Sequence, residues 1–237
     1  MSCKPRTVRA ALAVGCWLLI AQPALPEQFY LRYDADETFP EQEGWTRYWD
    51  DPDGELVRTI EDGIFRLDTR GSSAIFDLYR VFSDAFDLDA GERLEVTWRM
   101  QTLETSGSYG RSDVALAIVN KDHAAVRFHL GRDFVSEDEE LGGELEHFYN
   151  VDPTMPHIFE FVTDDMSDYE LFVDGDFAFR GLFHGYAWHQ APRVSFGDAI
   201  TGRTSLSEWD YVEVAVVPEP SGAVLLTLAF LARRHAS

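Results

Sequence analysis

The chain has 237 residues, of which 45% are hydrophobic and 14% aromatic, enough apolar material for one domain with a sizeable core and too much for a disordered chain. Twenty basic residues stand against 42 acidic ones, a formal charge of −22, and the longest basic cluster is Arg233-Arg234 at the very end. A surface of that sign repels phosphate backbones, which excludes nucleic acid as a partner.

The first residues carry Lys4, Arg6 and Arg9, followed by the apolar run Ala10 to Ala21 and by Gln22-Pro23-Ala24. Charged, apolar and small-residue segments in that order predict a secretory signal peptide over residues 1–24, a helix removed by signal peptidase near Ala24. The alternative is an apolar first helix of the folded domain; the run is too short to span a bilayer. Ala13-Val14-Gly15-Cys16 also fits a lipoprotein site, but Trp17-Leu18-Leu19-Ile20 carries the apolar run straight past that cysteine. Cys3 and Cys16 are the only cysteines and both lie in this segment. The mature domain therefore has neither disulfide nor reactive thiol, and its core must hold it together.

Residues 25–217 form the domain, with fifteen basic side chains against forty-one acidic ones and Lys121 as the only lysine. Period-two alternation recurs along it and no long helical pattern appears. Leu94-Glu95-Val96-Thr97-Trp98-Arg99-Met100 puts Leu, Val, Trp and Met on one face; Val126 to Leu130 and Tyr211 to Val216 read the same way. Further strands are predicted at 29–33, 56–60, 64–68, 74–80, 113–119, 144–149, 157–163, 169–173 and 193–196. Turn signals separate them, among them Glu61-Asp62-Gly63, Asn120-Lys121-Asp122-His123 and Asp174-Gly175-Asp176. About a dozen antiparallel strands with one wet and one buried face predict an all-β, two-sheet jelly-roll sandwich, with a closed barrel as the runner-up.

Beyond the domain come Val217-Pro218-Glu219-Pro220-Ser221-Gly222, the apolar stretch Ala223 to Ala232, and Arg233-Arg234-His235-Ala236-Ser237. This order of Pro-Glu-Pro motif, hydrophobic helix and basic end resembles the PEP-CTERM sorting signal of Gram-negative bacteria, also labelled an ice-binding protein C-terminal domain. The resemblance covers 218–237 and marks Pro218, Glu219, Pro220, Arg233 and Arg234 as the sorting motif. It implies recognition by an exosortase, cleavage near the motif and delivery to the cell surface or exopolysaccharide matrix. From Ser221 to Ala232 the helix would measure about 18 Å against a hydrocarbon core of about 30 Å, which suits a transient, processed membrane contact.

The domain itself resembles the concanavalin A-like lectin/glucanase superfamily, including laminin-G-like domains. The likeness is carried by Pro40-Glu41-Gln42-Glu43-Gly44-Trp45, the Ile60-Glu61-Asp62-Gly63-Ile64 hairpin, Tyr169-Glu170-Leu171-Phe172-Val173-Asp174-Gly175, Arg193-Val194-Ser195-Phe196-Gly197-Asp198 and Trp209-Asp210-Tyr211-Val212. Laminarinase-type members place acids at alternating strand positions, Glu-x-Asp-x-Glu, because glycoside hydrolysis needs two carboxyls flanking one bond. Here the series runs Glu144, Glu146, Phe148: the third acid is missing and the middle one is Glu. These two are the only catalytic candidates. The histidines are scattered, and no nucleophile elbow or phosphate-cradling loop occurs.

Hard oxygen ligands cluster in the loop of Asp164, Asp165 and Asp168, a candidate calcium loop of the kind laminin-G-like domains use; no other cofactor is expected. Sugars dock on aromatic rings and planar polar groups. Trp45, Trp49, Tyr109, Tyr186 and Trp188 in loops, with Arg99, Arg127 and His129 pointing outward, are the candidate ligand-binding residues, while Trp98 and Trp209 read as core. The expectation is an exported, non-catalytic, carbohydrate-binding protein of the cell surface or matrix; a glycan-cleaving enzyme and a purely structural component are the alternatives.

Overall fold

A strand buries one face only if every second residue is apolar, and the alternation read above is what the chain uses to make two sheets. The computed structural model describes residues 29–50, 56–71, 75–82, 86–106, 112–138, 147–185, 191–198 and 204–218, with the backbone alone at 49, 50 and 185. Its strands, in chain order, are β1 (Tyr30–Asp34), β2 (Thr46–Asp50), β3 (Val57–Glu61), β4 (Ile64–Asp68), β5 (Ile75–Val81), β6 (Glu92–Thr105), β7 (Val114–Val119) and β8 (Ala124–Leu130), then β9 (Phe134–Glu137), β10 (Phe148–Asn150), β11 (His157–Thr163), β12 (Asp168–Val173), β13 (Asp176–Leu182), β14 (His184–Gly185), β15 (Arg193–Asp198) and β16 (Ser205–Pro218).

The first sheet runs β13-β12-β11-β6-β16-β4-β3, with β1 against the second half of β16; the second runs β10-β9-β8-β7-β15-β5-β2, with β14 against β8. Every pairing is antiparallel. This is the two-sheet antiparallel jelly-roll sandwich that the pattern predicts, open-edged, so the barrel reading falls. The two Asp-Gly turns behave as read. Asp62 and Gly63 join β3 to β4, and Asp174 and Gly175 join β12 to β13, all four at positive φ, which matches the right-handed twist of a tight hairpin.

Between the sheets lies an aromatic core. Trp98 stacks on Phe159 at 5.2 Å and on Phe128 at 6.0 Å, and Trp209 leans on Phe196 at 4.9 Å. Both tryptophans are fully buried, as the alternation predicts. Each such pair adds about 0.5–1.5 kcal/mol to the burial itself. Polar ties close the gap at one end: Asp198 of the second sheet accepts hydrogen bonds from the hydroxyls of Thr69 and Ser205, whose chains belong to the first. The Leu130 carbonyl of β8 accepts from the Thr102 hydroxyl of β6 at 2.7 Å.

Sequence periodicity overlooks β2, β9, β13 and β14. Strand β9 is buried on both faces, and β2 follows a single turn of 3-10 helix at Pro40–Glu43, so neither shows clean alternation. The expected signal peptide, both cysteines, Glu219 and the rest of the tail lie outside the described residues; Pro218 ends β16 opposite Glu92. Among the described residues no helix is long and apolar enough to cross a membrane.

Gly197 sits on β15 at φ +141°, where a Cβ would stand 2.2 Å from the Phe76 carbonyl oxygen of the neighbouring strand. Backbone cannot yield there without parting β15 from β5. Gly197→Ala is therefore expected to cost about 3 kcal/mol, read as a lowered urea midpoint with an unchanged m-value.

Candidate functional site

Directly opposed residues in an antiparallel pair share a face, so the register maps the outer face of the second sheet. One row reads Tyr48, Asp77, Gly197, Ala115, His129 and Ser136. The next reads Thr46, Tyr79, Ser195, Ala117 and Arg127, and the third Val81, Arg193, Val119 and Ala125. Small side chains occupy the middle strands β15 and β7, and large ones stand on either side. The result is a trough floored by Ser195, Gly197, Ala115 and Ala117, with Tyr48, Asp77 and Tyr79 along one wall and Arg127 and His129 along the other. Ala115, Ala117, His129, Ser136 and Ser195 are all buried although they face away from the core. Tyr48 is 56% exposed at the rim.

The polar groups of this face are held in place. Arg127 donates to Asp138 Oδ2 at 3.0 Å, and Asp138 Oδ1 lies 3.6 Å from His129 Nε2. His129 Nδ1 donates to the Ser112 carbonyl at 2.7 Å, which fixes the ring. Arg193 spreads its guanidinium 5.0 Å from the centre of the Tyr79 ring. Burial pushes the Asp77 carboxyl up to about 7, against the pull of Arg193 and Arg127 and a hydrogen bond from Ser195. A carboxyl that keeps its proton near neutrality on a secluded face can donate as well as accept hydrogen bonds.

The structure divides the residues singled out from sequence. Arg127 and His129 do share the trough, but His129 is 1% exposed and part of its wall. Arg99 points from the outer face of the first sheet, on the other side of the sandwich, where it pairs with Asp210. Trp45 is a core residue, 3% exposed and edge-on to Phe196 at 5.0 Å; Pro40–Glu43 turns it inward before β2 begins. Trp49 lies in β2 opposite Phe76, its side chain outside the description, as are Tyr109, Tyr186, Trp188, Glu144 and Glu146. In the acidic loop, Asp165 Oδ1 accepts from the Ser167 amide at 2.8 Å and from the Asp168 amide; Asp164 and Asp168 are exposed. Among the described residues no group of three His, Asp or Glu side chains is placed to hold a metal ion.

An open cleft of about 630 Å³ between Asp34, Glu37, Glu43 and Asp62 offers neither an aromatic ring nor a basic group, so it suits a sugar less well than the trough. Sequence reasoning missed Asp77, Tyr79, Arg193, Ser195 and Tyr48. Parity within β5 and β15 would have found the first four, since each alternates with a core residue; Tyr48 needed β2 to be recognised.

A second polar cluster lies where the sheet edges meet. Glu137, opposite Phe128 and hence on the core side of β9, accepts from His147 Nδ1 and lies 3.3 Å from His184 Nε2. The His147 ring stacks on Phe179 at 5.3 Å. Tyr169 of the first sheet packs against the same carboxylate; burial, then the Glu137 charge, pushes its hydroxyl up. One buried carboxylate thus joins β9 and β14 to β12.

No protein family and no curated protein matches the chain by sequence. Solved structures do. The chain is similar to a carbohydrate esterase from Shiga toxin-encoding bacteriophage phi24B, with TM-score 0.54 and 13% identity over 79% of this chain and 97% of that one. It is similar to a sialidase with TM-score 0.51 and 11% identity, over 78% of this chain but only 18% of the sialidase. An endo-1,3-beta-glucanase from Streptomyces sioyaensis follows at TM-score 0.49 and 13% identity, over 84% and 100%. At these identities the likeness is one of fold, the jelly-roll sandwich.

Two measurements probe these clusters. Removing the buried Glu137 carboxylate breaks its hydrogen bond with His147 and its ion-pair contact with His184, so Glu137→Ala is expected to lose about 3 kcal/mol in urea unfolding. An unfolded Asp loses its proton near about 4, whereas folded Asp77 keeps it to about 7. The folded state then binds more protons across that window, so stability falls as pH rises from about 4 to about 7 and levels off above it. Asp77 keeps some solvent contact, which limits the loss to about 1–3 kcal/mol. Asp77→Asn should flatten this limb of a urea-midpoint against pH plot.

Proposed function

We propose that this protein is an exported, non-catalytic, carbohydrate-binding β-sandwich, and that its ligand lies in the trough of the second sheet. One observation carries the reading: an outward face secluded from solvent, floored by small side chains and walled by tyrosines and arginines. Sugar rings present flat apolar faces to aromatics and hydroxyls to planar polar groups. Tyr48 and Tyr79 supply the first, and Arg127, Arg193, Asp77 and Ser195 the second. Two of the similar solved structures bear names of enzymes that act on glycans, which agrees with a sugar-facing role for the fold without assigning one. Fold alone does not set function.

Export and sorting rest on the termini. The leader over residues 1–24 calls for signal peptidase, and the Pro218-Glu219-Pro220 tail with Arg233-Arg234 calls for an exosortase-type enzyme and brief membrane contact. The destination is then the envelope, surface or exopolysaccharide matrix of a Gram-negative-type bacterium, with polysaccharide as the partner. Calcium, through the Asp164, Asp165 and Asp168 loop, is an accessory ion in this reading.

A glycan array on the purified protein, with and without calcium, tests the binding. Retained sugar is expected, with Tyr48→Ala and Tyr79→Ala each weakening it about tenfold. No retained sugar under either condition defeats the reading, and release of new reducing ends from the bound glycan would replace it with glycan cleavage. Mass spectrometry of the secreted form should find its first residue next after Ala24 and its last near Pro218.

A further inference from the structure

Resting on the reading of both terminal segments as membrane-contacting, a further inference concerns which part of the folded body meets the lipid. Strand β1 runs antiparallel to the second half of β16, so Tyr30 lies opposite Ala215, and the Val216 amide donates to the Phe29 carbonyl at 3.0 Å. The chain therefore enters and leaves the sandwich at one end. Both junctions are tied to the body. Phe29 packs edge-on against Phe82 at 5.4 Å, Phe82 rests on Phe86 at 5.3 Å, and Pro218 is still in register with Glu92.

The same end collects turns from both sheets. Thr163, Leu94 and Val216 stand in one row across β11, β6 and β16, which puts the turn from Asp164 to Ser167 beside the exit of the chain. The Met166 carbonyl accepts from Asn120 Nδ2 at 2.9 Å, and Lys121 pairs with Asp87, so the β7–β8 turn of the second sheet closes this end as well. Asp87, Asp89, Asp122, Asp164 and Asp165 are exposed here. Such groups hold their hydration and stay out of hydrocarbon.

Tether length fixes the orientation. Between Pro218 and the apolar run that starts at Ala223 stand Glu219 to Gly222, a reach of at most about 18 Å when fully extended. The stretch from Ala21, at the close of the leading apolar run, to Phe29 reaches at most about 29 Å. Strand β6 is 14 residues long, which carries its far end about 40 Å from Glu92. With either apolar segment in a bilayer, the tether is too short for the far end to turn toward the lipid. Lying flat would press the charge lattice of the first sheet, or the trough of the second, onto headgroups at the cost of their hydration.

We propose that the end of the sandwich where both termini emerge is the surface this protein turns to a lipid bilayer, facing the headgroups upright and without insertion while the terminal segments hold it there. The trough then stands along the membrane normal, clear of the headgroups.

Fluorescence quenching on phosphatidylcholine vesicles tests this with the full chain. Cys3→Ser and Cys16→Ser clear the background for single labelled cysteines. Asp122→Cys and Asp164→Cys mark the near end. Glu104→Cys, and Arg132→Cys in the turn after Leu130, whose carbonyl is bonded to Thr102, mark the far end. All four positions are exposed, and thermal melts verify each variant. Lipid carrying a nitroxide on its headgroup is expected to quench either near-end label at least twofold more than either far-end label. Nitroxide placed deep on the acyl chain is expected to quench none of them. Equal quenching at the two ends, a reversed order, or strong quenching from the acyl chain overturns this inference and leaves the export reading standing. Failure of the full chain to associate with the vesicles overturns both this inference and the membrane contact on which it rests.

Discussion

The packing of two aromatic-rich faces against each other is the interaction on which the rest of this molecule depends. The only cysteines, Cys3 and Cys16, precede both sheets, so no disulfide links the sheets, and burial must offset the whole conformational entropy of ordering the chain. Trp98, Phe128, Phe159 and Phe161 on one side and Trp209, Phe196, Tyr33 and Trp45 on the other fill the space between the sheets. The polar ties through Asp198 and Glu137 come at its margins, where a purely apolar filling would leave backbone or hydroxyl groups unsatisfied. They set how the sheets meet more than how strongly they adhere.

Once the inner faces are committed to the core, the outer faces are free to differ. The first sheet shows solvent a lattice of charges, such as Arg66 with Glu208 on neighbouring strands and Arg99 with Asp210 at a bulge of β16; exposed pairs of this kind contribute little individually. The second sheet carries Ala, Ser and Gly where its neighbour carries Glu and Arg. That choice leaves a strip of small residues between Asp77 on one side and Arg127 and His129 on the other. The unusual protonation of Asp77 follows from its burial on this face.

Much of this was legible in the chain. Ile64–Asp68 and His157–Thr163 were readable to the residue, because each is bounded by turn residues and buried on one face only. Both Asp-Gly hairpins and both core tryptophans followed from the same parity. The candidate site was harder. Alternation says that Arg99 and Arg127 point outward but not from which sheet, and long-range pairing places them on opposite sides of the sandwich. Trp45 reads as a loop aromatic because the 3-10 turn before β2 erases the period that would have marked it as core. Asp77 and Arg193 look like ordinary outward polar residues until β5 and β15 are laid side by side. Their meaning lies in adjacency across 116 residues of sequence, to which no local window has access.

Gly197 also bears on how this scaffold can change over evolutionary time. Any Cβ at this position collides with a neighbouring carbonyl, so variation that keeps β15 against β5 must leave it as glycine, and a designer reshaping this face would work around it.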